Sequence, residues 1–165
     1  MSISIRALAE TDSVAELTEL LHAAYAPLGQ MGLNYTAVDQ SADVTRSRIA
    51  GGECYVAVDG DMLIGTVLFR RHSGGCFWYE QAYVATIHQF AVLPGRQRHG
   101  IGLRLMDYVQ SRAKALGAAE IALDTAEGAT HLVEWYIRQG YRQVAIEQWR
   151  GKTYRSLILS KRLTA

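Results

Sequence analysis

The chain has 165 residues, of which 49% are hydrophobic and 20% charged, and its formal net charge at pH 7 is +1. These values are typical of a single globular domain over residues 1–165. A net charge so close to zero argues against a protein that binds nucleic acid or anionic membranes through a strongly basic surface. No apolar run reaches the roughly 18 residues that a membrane-spanning helix needs. The N-terminus lacks the pattern of a secretory signal, and Cys54 and Cys76 fit reduced thiols, so we expect a cytoplasmic protein.

The first third of the chain predicts a strand followed by two helices. Residues 2–8 alternate between apolar and polar, as a half-buried strand does. Residues 13–16 have the spacing of a capping box, which opens an amphipathic helix that Pro27 is expected to end. Residues 28–42 are expected to form an exposed loop, and residues 43–50 a short second helix.

The next part of the chain predicts three strands. Residues 53–58 and 62–69 are joined by the hairpin turn at 59–61. A connection at 71–79 leads to a longer strand over residues 81–93.

The second half alternates helices and strands. Apolar residues at helical spacing predict helices over 101–116 and 129–137, and Gly117 and Gly140 are suitable for ending them. Three further strands are predicted at residues 120–124, 141–149 and 153–160.

A glycine-bearing turn, residues 97–102, lies between the long strand and the helix that follows it. Free backbone N–H groups and the positive end of a helix dipole can bind a phosphate at such a turn. An ATP-type loop requires Lys and Ser/Thr, where this chain has Ile101 and Gly102, and a dinucleotide fingerprint requires a third glycine, where it has Leu105. A tight turn without a ligand is the alternative interpretation.

The remaining pattern, [Q/R]-x-x-G-x-[G/A] after a strand that ends near a proline, resembles the GNAT family of N-acetyltransferases. The predicted order β-α-α-β-β-β-α-β-α-β-β is similar to that family over about residues 3–163. The resemblance implies an α/β (α+β) fold with a mixed, mostly antiparallel sheet of six to seven strands, about four flanking helices, and strands that splay at the cofactor site. It also implies transfer of an acetyl group from acetyl-CoA to a primary amine of a small molecule or peptide, by direct attack through a tetrahedral intermediate.

The resemblance assigns acetyl-CoA to two neighbouring segments. The backbone of the long strand would bind the pantetheine arm, and the turn with the start of its helix would bind the pyrophosphate. The implied residues are Phe90, Ala91, Val92, Gln97, Arg98, His99, Gly100, Ile101, Gly102 and Leu103.

The catalytic residues implied by the resemblance are an acid and a base. Tyr136, in the pattern W-Y-x-x-x-G-Y, matches the tyrosine that protonates the leaving thiol. His88 is the first candidate for the base, with Glu80 and Glu127 as alternatives. The chain departs from the family at Ala129, where many members have an asparagine that contacts the pantetheine.

The acceptor site in this fold tends to be built by the loop after the first helix and by connections near the last strands. The candidates are Tyr25, Met31, Asn34 and Tyr35, with Trp149 and Tyr154 opposite. A role in packing is the alternative for each of them.

Two other functions stay open at this point. One is a non-catalytic CoA-binding sensor or partner domain, and the other is a transferase that uses another acyl group or acceptor. No metal is expected, because the five histidines lack ligand spacing. We expect neither nucleic-acid nor membrane partners, and a homodimer is left open.

Overall fold

The computed structural model describes residues 2–164, apart from the side chain of Arg98. The strands are β1 (Ile3–Ala7), β2 (Glu53–Asp59), β3 (Met62–Arg70), β4 (Val84–Val92), β5 (Glu120–Ala126), β6 (Arg142–Glu147) and β7 (Ser156–Arg162). The helices are α1 (Val14–Gln30), α2 (Thr36–Asp39), α3 (Ala42–Ala50), α4 (Ile101–Ala115) and α5 (Thr130–Arg138). One 3₁₀ turn, Gln97–His99, precedes α4.

The seven strands form one open sheet in the order β1-β2-β3-β4-β5-β7-β6. Neighbouring strands are antiparallel, except that β4 and β5 are parallel. Parallel strands need a crossover connection, which α4 provides here. The sheet is therefore mixed and mostly antiparallel, as expected, and the fifth helix is the single turn α2.

Helices cover both faces of the sheet, because alternate residues of a strand point to opposite sides. On one face, Leu17 and Leu21 of α1 belong to a core cluster with Val56 of β2. On the other, Leu105 of α4 belongs to a cluster with Phe69 of β3. All five side chains are fully buried, and truncating one of this kind to alanine costs about 2–5 kcal/mol. The two layers hold the central strands in place.

The prediction that Pro27 ends the first helix is wrong. Helix α1 continues to Gln30, with Pro27 inside it. A proline here removes one backbone hydrogen bond. Burial of Leu28, which is 6% exposed and clusters with Ala126 and Ala129, opposes that loss.

The prediction of an exposed loop over residues 28–42 is also wrong. The segment contains α2, and Ala37 and Gln40 in it are buried. Gln40 is polar, but hydrogen bonds to Thr45 and Gln89 satisfy its amide N–H₂ group inside the protein.

The remaining elements are close to their predicted bounds. The hairpin of β2 and β3 is confirmed by their antiparallel pairing, and Gly60 in its turn has φ +60°. Strand β4 is shorter than expected, and β5 is two residues longer. Cys54 and Cys76 are buried free thiols. Within residues 2–164, no helix is both long enough and apolar enough to cross a bilayer.

Candidate active site

The central feature of the sheet is the separation of β4 from β5. The two strands pair only where Val84–Thr86 faces Glu120–Ala122. Beyond this point β5 continues along β7 to Ala126, and β4 continues along β3 to Val92. The second half of β4 therefore has no partner on its β5 side among the described strands. Free backbone groups at such an edge can bind an extended ligand in the manner of an added strand.

A β-bulge lies where the strands separate. Between His88 and Ala91, β4 has one residue more than the facing part of β3. Gln89 in this bulge has φ +38°, which residues other than glycine rarely adopt. The Tyr25 hydroxyl donates a 3.0 Å hydrogen bond to the carbonyl oxygen of Phe90. Helix α1 thus helps to hold a strained strand segment of the kind that is frequent at functional sites.

The start of α4 is built to accept an anion. Gly100 is its N-cap residue, with φ +69° and ψ +14°, a conformation that favours glycine even though a Cβ atom would have open space there. Within the described part of the chain, no side chain caps this helix end. Its first N–H groups are therefore available, together with the positive end of the helix dipole.

Gly102 brings the first turn of α4 against β4. A Cβ atom at this position would lie 3.3 Å from Cζ of Phe90 and 3.7 Å from Cγ2 of Val92. The close approach makes the open edge of β4 and the N–H groups of α4 parts of one continuous surface.

The other predicted residues of the turn differ in their roles. Gln97 donates a 3.3 Å hydrogen bond from Nε2 to the carbonyl oxygen of Val92. His99 and Leu103 are exposed, whereas Ile101 is fully buried in the core. The backbone of Arg98 lies in the 3₁₀ turn, and its side chain is outside the described part.

Tyr136 lies on the inner face of α5. Its ring is 6.5 Å from that of Phe90 and 5.8 Å from that of Tyr141, measured between centroids. Burial, with a further contribution from the Tyr25 phenol, raises the pKa of Tyr136 well above its ordinary value. The phenol therefore stays protonated at neutral pH, which suits a proton donor and not a base.

A cavity of about 340 Å³ lies where β4 and β5 separate. Its aromatic wall is formed by Tyr25, Tyr35, Tyr79, Trp149 and Tyr154. Its other polar and charged side chains are Thr36, Arg48, His88, Gln89, Asp124 and Lys152. An aromatic wall with a few converging polar groups is typical of a small-molecule site.

Asp124 supplies the carboxylate of this cavity. The Tyr79 hydroxyl donates a 2.6 Å hydrogen bond to its Oδ2 atom. Burial raises the pKa of Asp124 above its ordinary value, although Tyr79, Trp149 and Arg48 each oppose the rise. Such a carboxylate can attract an ammonium group and can accept its proton.

The comparison with protein families decides what kind of protein this is. Residues 15–141 match the model of the acetyltransferase (GNAT) family. The chain belongs to the GNAT family of acetyltransferases.

Individual relatives agree with the family model. This acetyltransferase is 29% identical over 161 residues to the S-(2-succino)cysteine N-acetyltransferase of Bacillus subtilis (strain 168), and the match covers 94% of each chain. A solved structure from Pyrococcus horikoshii OT3 has a TM-score of 0.77 at 21% identity and covers 99% of this chain and 100% of that one. A GNAT acetyltransferase from Elizabethkingia anophelis with acetyl-CoA bound has a TM-score of 0.70 at 20% identity and covers 98% of both chains. These likenesses confirm the expected fold.

His88 of the acetyltransferase is in an environment that does not favour its predicted role as base. Burial first, and then Arg70 and Arg48, lower the pKa of His88 to about 3. Its Nε2 atom is 2.8 Å from Oγ1 of Thr86. An imidazole with such a pKa is too weak a base to take a proton readily from an ammonium group with a pKa of about 10. Asp124, whose pKa burial raises, is the other titratable acceptor of a proton in the cavity lining.

The two alternative bases lie outside the cavity lining. Glu80 is exposed, and Glu127 forms a 3.0 Å ion pair with Arg155. Ala129, at the position of the family asparagine, is fully buried as the N-cap residue of α5. Within residues 2–164, no three His, Cys, Asp or Glu side chains come together as a metal-binding group.

The predicted acceptor residues divide into two groups. Tyr25 and Tyr35 line the cavity together with the opposite pair of aromatic residues, whereas Met31 and Asn34 do not. Met31 is 51% exposed. Asn34 donates from Nδ2 to the carbonyl oxygen of Gly151 and accepts from the Thr153 N–H group, at 2.9 and 2.8 Å. Asn34 therefore joins the two loops beside the cavity without forming its wall.

Sequence reasoning interpreted Asp124 as a residue at a strand end that holds a loop, and it assigned no role to the other charged residues of the cavity. A polar residue inside the apolar strand E-I-A-L-D-T-A is a signal that could have identified Asp124. The other cavity residues with polar side chains that it missed carry no local signal, since they come from separate elements and meet only in the fold: Thr36, Arg48, Tyr79, Gln89 and Lys152.

Proposed function

We propose that this acetyltransferase transfers the acetyl group of acetyl-CoA to the primary amine of a small molecule. The observation that carries the proposal is the continuous surface from the start of α4, along the open edge of β4, to the cavity with Asp124. One end of this surface suits a pyrophosphate, and the other suits an amine.

The residues of the first part fit acetyl-CoA. The N–H groups of the α4 first turn would bind the pyrophosphate, with Gly100 and Gly102 allowing the required backbone shape and close packing. Backbone groups of Phe90, Ala91 and Val92 would bind the pantetheine amides along the open edge. When bound, acetyl-CoA supplies the activated thioester. The acetyl-CoA-bound relative from Elizabethkingia anophelis supports this assignment.

The residues of the second part suit the acceptor. Asp124 would bind the ammonium group and receive its proton, directly or through water, so that the free amine can attack. Tyr136, protonated and next to Phe90, would donate a proton to the departing sulfur. The Bacillus subtilis relative that is named for S-(2-succino)cysteine supports a small-molecule amine as the acceptor.

The test measures cofactor binding and transfer separately. Thermal shift with acetyl-CoA reports binding, and thiol release with a panel of amines that includes S-(2-succino)cysteine reports transfer. We expect stabilisation by acetyl-CoA and amine-dependent thiol release that Asp124→Asn lowers by about 10²-fold or more. Binding without turnover on a broad panel would favour a sensor domain, and absence of binding would contradict both functions.

A further inference from the structure

Two cations of the cavity lack a carboxylate partner. Arg48 and Lys152 both line the cavity, and among the described residues neither has a carboxylate oxygen within 4.0 Å. Nη1 of Arg48 donates to Oε1 of Gln40 at 2.9 Å, which leaves the rest of the guanidinium group without a described acceptor. Nζ of Lys152 donates to the carbonyl oxygen of Asn34 at 2.8 Å and to Oγ1 of Thr36 at 2.9 Å, which leaves one of its three N–H groups for a ligand. Asp124, the carboxylate of the cavity lining, attracts both half-buried cations without forming an ion pair with either of them. One positive charge of the lining is therefore left unbalanced, which is unfavourable unless a ligand supplies a counter-charge.

A buried amide lies beside these cations. Gln89 is 5% exposed and lines the cavity. Its Oε1 atom accepts a hydrogen bond from Gln40 at 3.2 Å, but its Nε2 atom has no partner within the described part of the chain. A buried N–H₂ group without an acceptor is uncommon, and a ligand oxygen would satisfy it.

The charges of the cavity favour one class of acceptor. His88 is neutral at pH 7 because its pKa is about 3. The cavity lining then carries two positive charges, on Arg48 and Lys152, and one negative charge, on Asp124. An acceptor with one ammonium group and two carboxylates would place a positive charge near Asp124 and a negative charge near each of the two cations.

We propose that the acceptor is an amino acid with a second carboxylate, whose amine lies at Asp124 and whose carboxylates are bound by Arg48, Gln89 and Lys152. The planar guanidinium group of Arg48 suits two parallel hydrogen bonds to one carboxylate. This inference rests on the proposed function for the identification of the cavity as the acceptor site.

A dicarboxylate tests the carboxylate site without any transfer. Succinate is titrated against the CoA-saturated protein in a thermal-shift assay. We expect it to raise the melting temperature of the natural protein and to bind Arg48→Gln about tenfold more weakly or worse, because truncation of a buried charge partner removes most of the attraction. Arg46→Gln is the matched control, since Arg46 is on the same helix and forms an ion pair with Asp43 at the exposed surface, away from the cavity lining.

Lys152→Met provides a second variant in case Arg48→Gln weakens the fold through its lost bond to Gln40. We expect it also to weaken succinate binding while it leaves the affinity for CoA within about twofold. Equal binding of succinate by the natural protein and by both variants would overturn the inference, and so would absence of succinate binding.

A matched pair of acceptors tests the same point in turnover. S-carboxymethylcysteine and S-carbamoylmethylcysteine differ only in a carboxylate and its amide. We expect the acid to have about tenfold or greater kcat/KM, and Arg48→Gln to remove this preference through KM. Equal turnover of both would overturn the inference and leave the proposed function standing. If succinate binds through Arg48 but no amine gives thiol release, the carboxylate site is supported and the proposed acetyl transfer is contradicted.

Discussion

The hydroxyl group of Tyr79 donates a hydrogen bond of 2.6 Å to Oδ2 of Asp124. Tyr79 lies in the connection between β3 and β4, and Asp124 lies in β5, so a segment outside the sheet stabilises the carboxylate inside the cavity. Hydrogen bonds to a charged acceptor are stronger than neutral ones. This bond opposes the effect of burial, which makes the charged form of Asp124 unfavourable.

Tyr79→Phe should therefore move the pH dependence of catalysis. Loss of the hydroxyl raises the pKa of Asp124 further, because Tyr79 is the first group that lowers it. If Asp124 takes the proton of the amine, it acts in its charged form, and activity rises as the pH passes its pKa. The acidic limb of the kcat/KM profile should then shift to higher pH. Tyr154→Phe, in the same cavity but without a hydrogen bond to Asp124, should leave the limb in place. An unshifted limb in Tyr79→Phe would exclude Asp124 as the titrating group.

Asp124→Asn should stabilise the protein while it removes activity. The pKa of Asp124 is raised in the folded state, so folding favours its protonated form. This form contributes to stability below the ordinary aspartate pKa of about 4, and the contribution is lost as the pH rises through the folded pKa. At pH 8 the free energy of unfolding of the variant should be larger than that of the natural protein by about 1.4 kcal/mol for each unit by which folding raises the pKa of Asp124. The difference should shrink towards pH 4. Chemical denaturation at both pH values measures it, and a gap that does not change with pH would contradict the buried-charge explanation.

Tyr136→Phe should slow turnover and spare cofactor binding. The change removes only the hydroxyl from a packed aromatic cluster, so we expect a kcat about 10²-fold lower with an unchanged affinity for acetyl-CoA. Tyr141→Phe is the control, because Tyr141 is also buried and its hydroxyl accepts a hydrogen bond from Nε2 of Gln110. Steady-state kinetics and calorimetric titration separate the two effects. An unchanged kcat in Tyr136→Phe would remove Tyr136 as the acid.

The glycines of the α4 turn should govern cofactor affinity for different reasons. Gly100→Ala forces a side chain into φ +69°, at a cost of about 1–2 kcal/mol, and Gly102→Leu collides with Phe90. Both should weaken CoA binding as measured by calorimetry.

Gly60→Ala is the matched control for Gly100→Ala. It imposes a similar strain at φ +60°, also with open space, but in the β2–β3 hairpin. It should lower stability without changing affinity for CoA. If all three variants bind CoA as the natural protein does, the pyrophosphate assignment is incorrect.

Local patterns were sufficient for most of the fold. Apolar residues at helical spacing gave the correct place of α4, and the turn at Gly60 predicted the β2–β3 hairpin. The helix through Pro27 was not predictable locally, because the residues that bury Leu28, Ala126 and Ala129, lie far from it in the chain. The strained residue Gln89 likewise has no local signal, since its bulge arises from the register of β4 against β3.

The sequence by itself determined the order of strands and helices apart from α2, the glycine turn before α4 and the resemblance that led to acetyl-CoA, because these depend on residues close together in the chain. Only the tertiary structure decided which side chains share the acceptor cavity. Tyr25 and Phe90 are 65 residues apart, and Tyr79 and Asp124 are 45 apart. Their contacts, and the burial that shifts the pKa values of Asp124 and His88 in opposite directions, exist only once β4 and β5 separate in the folded sheet.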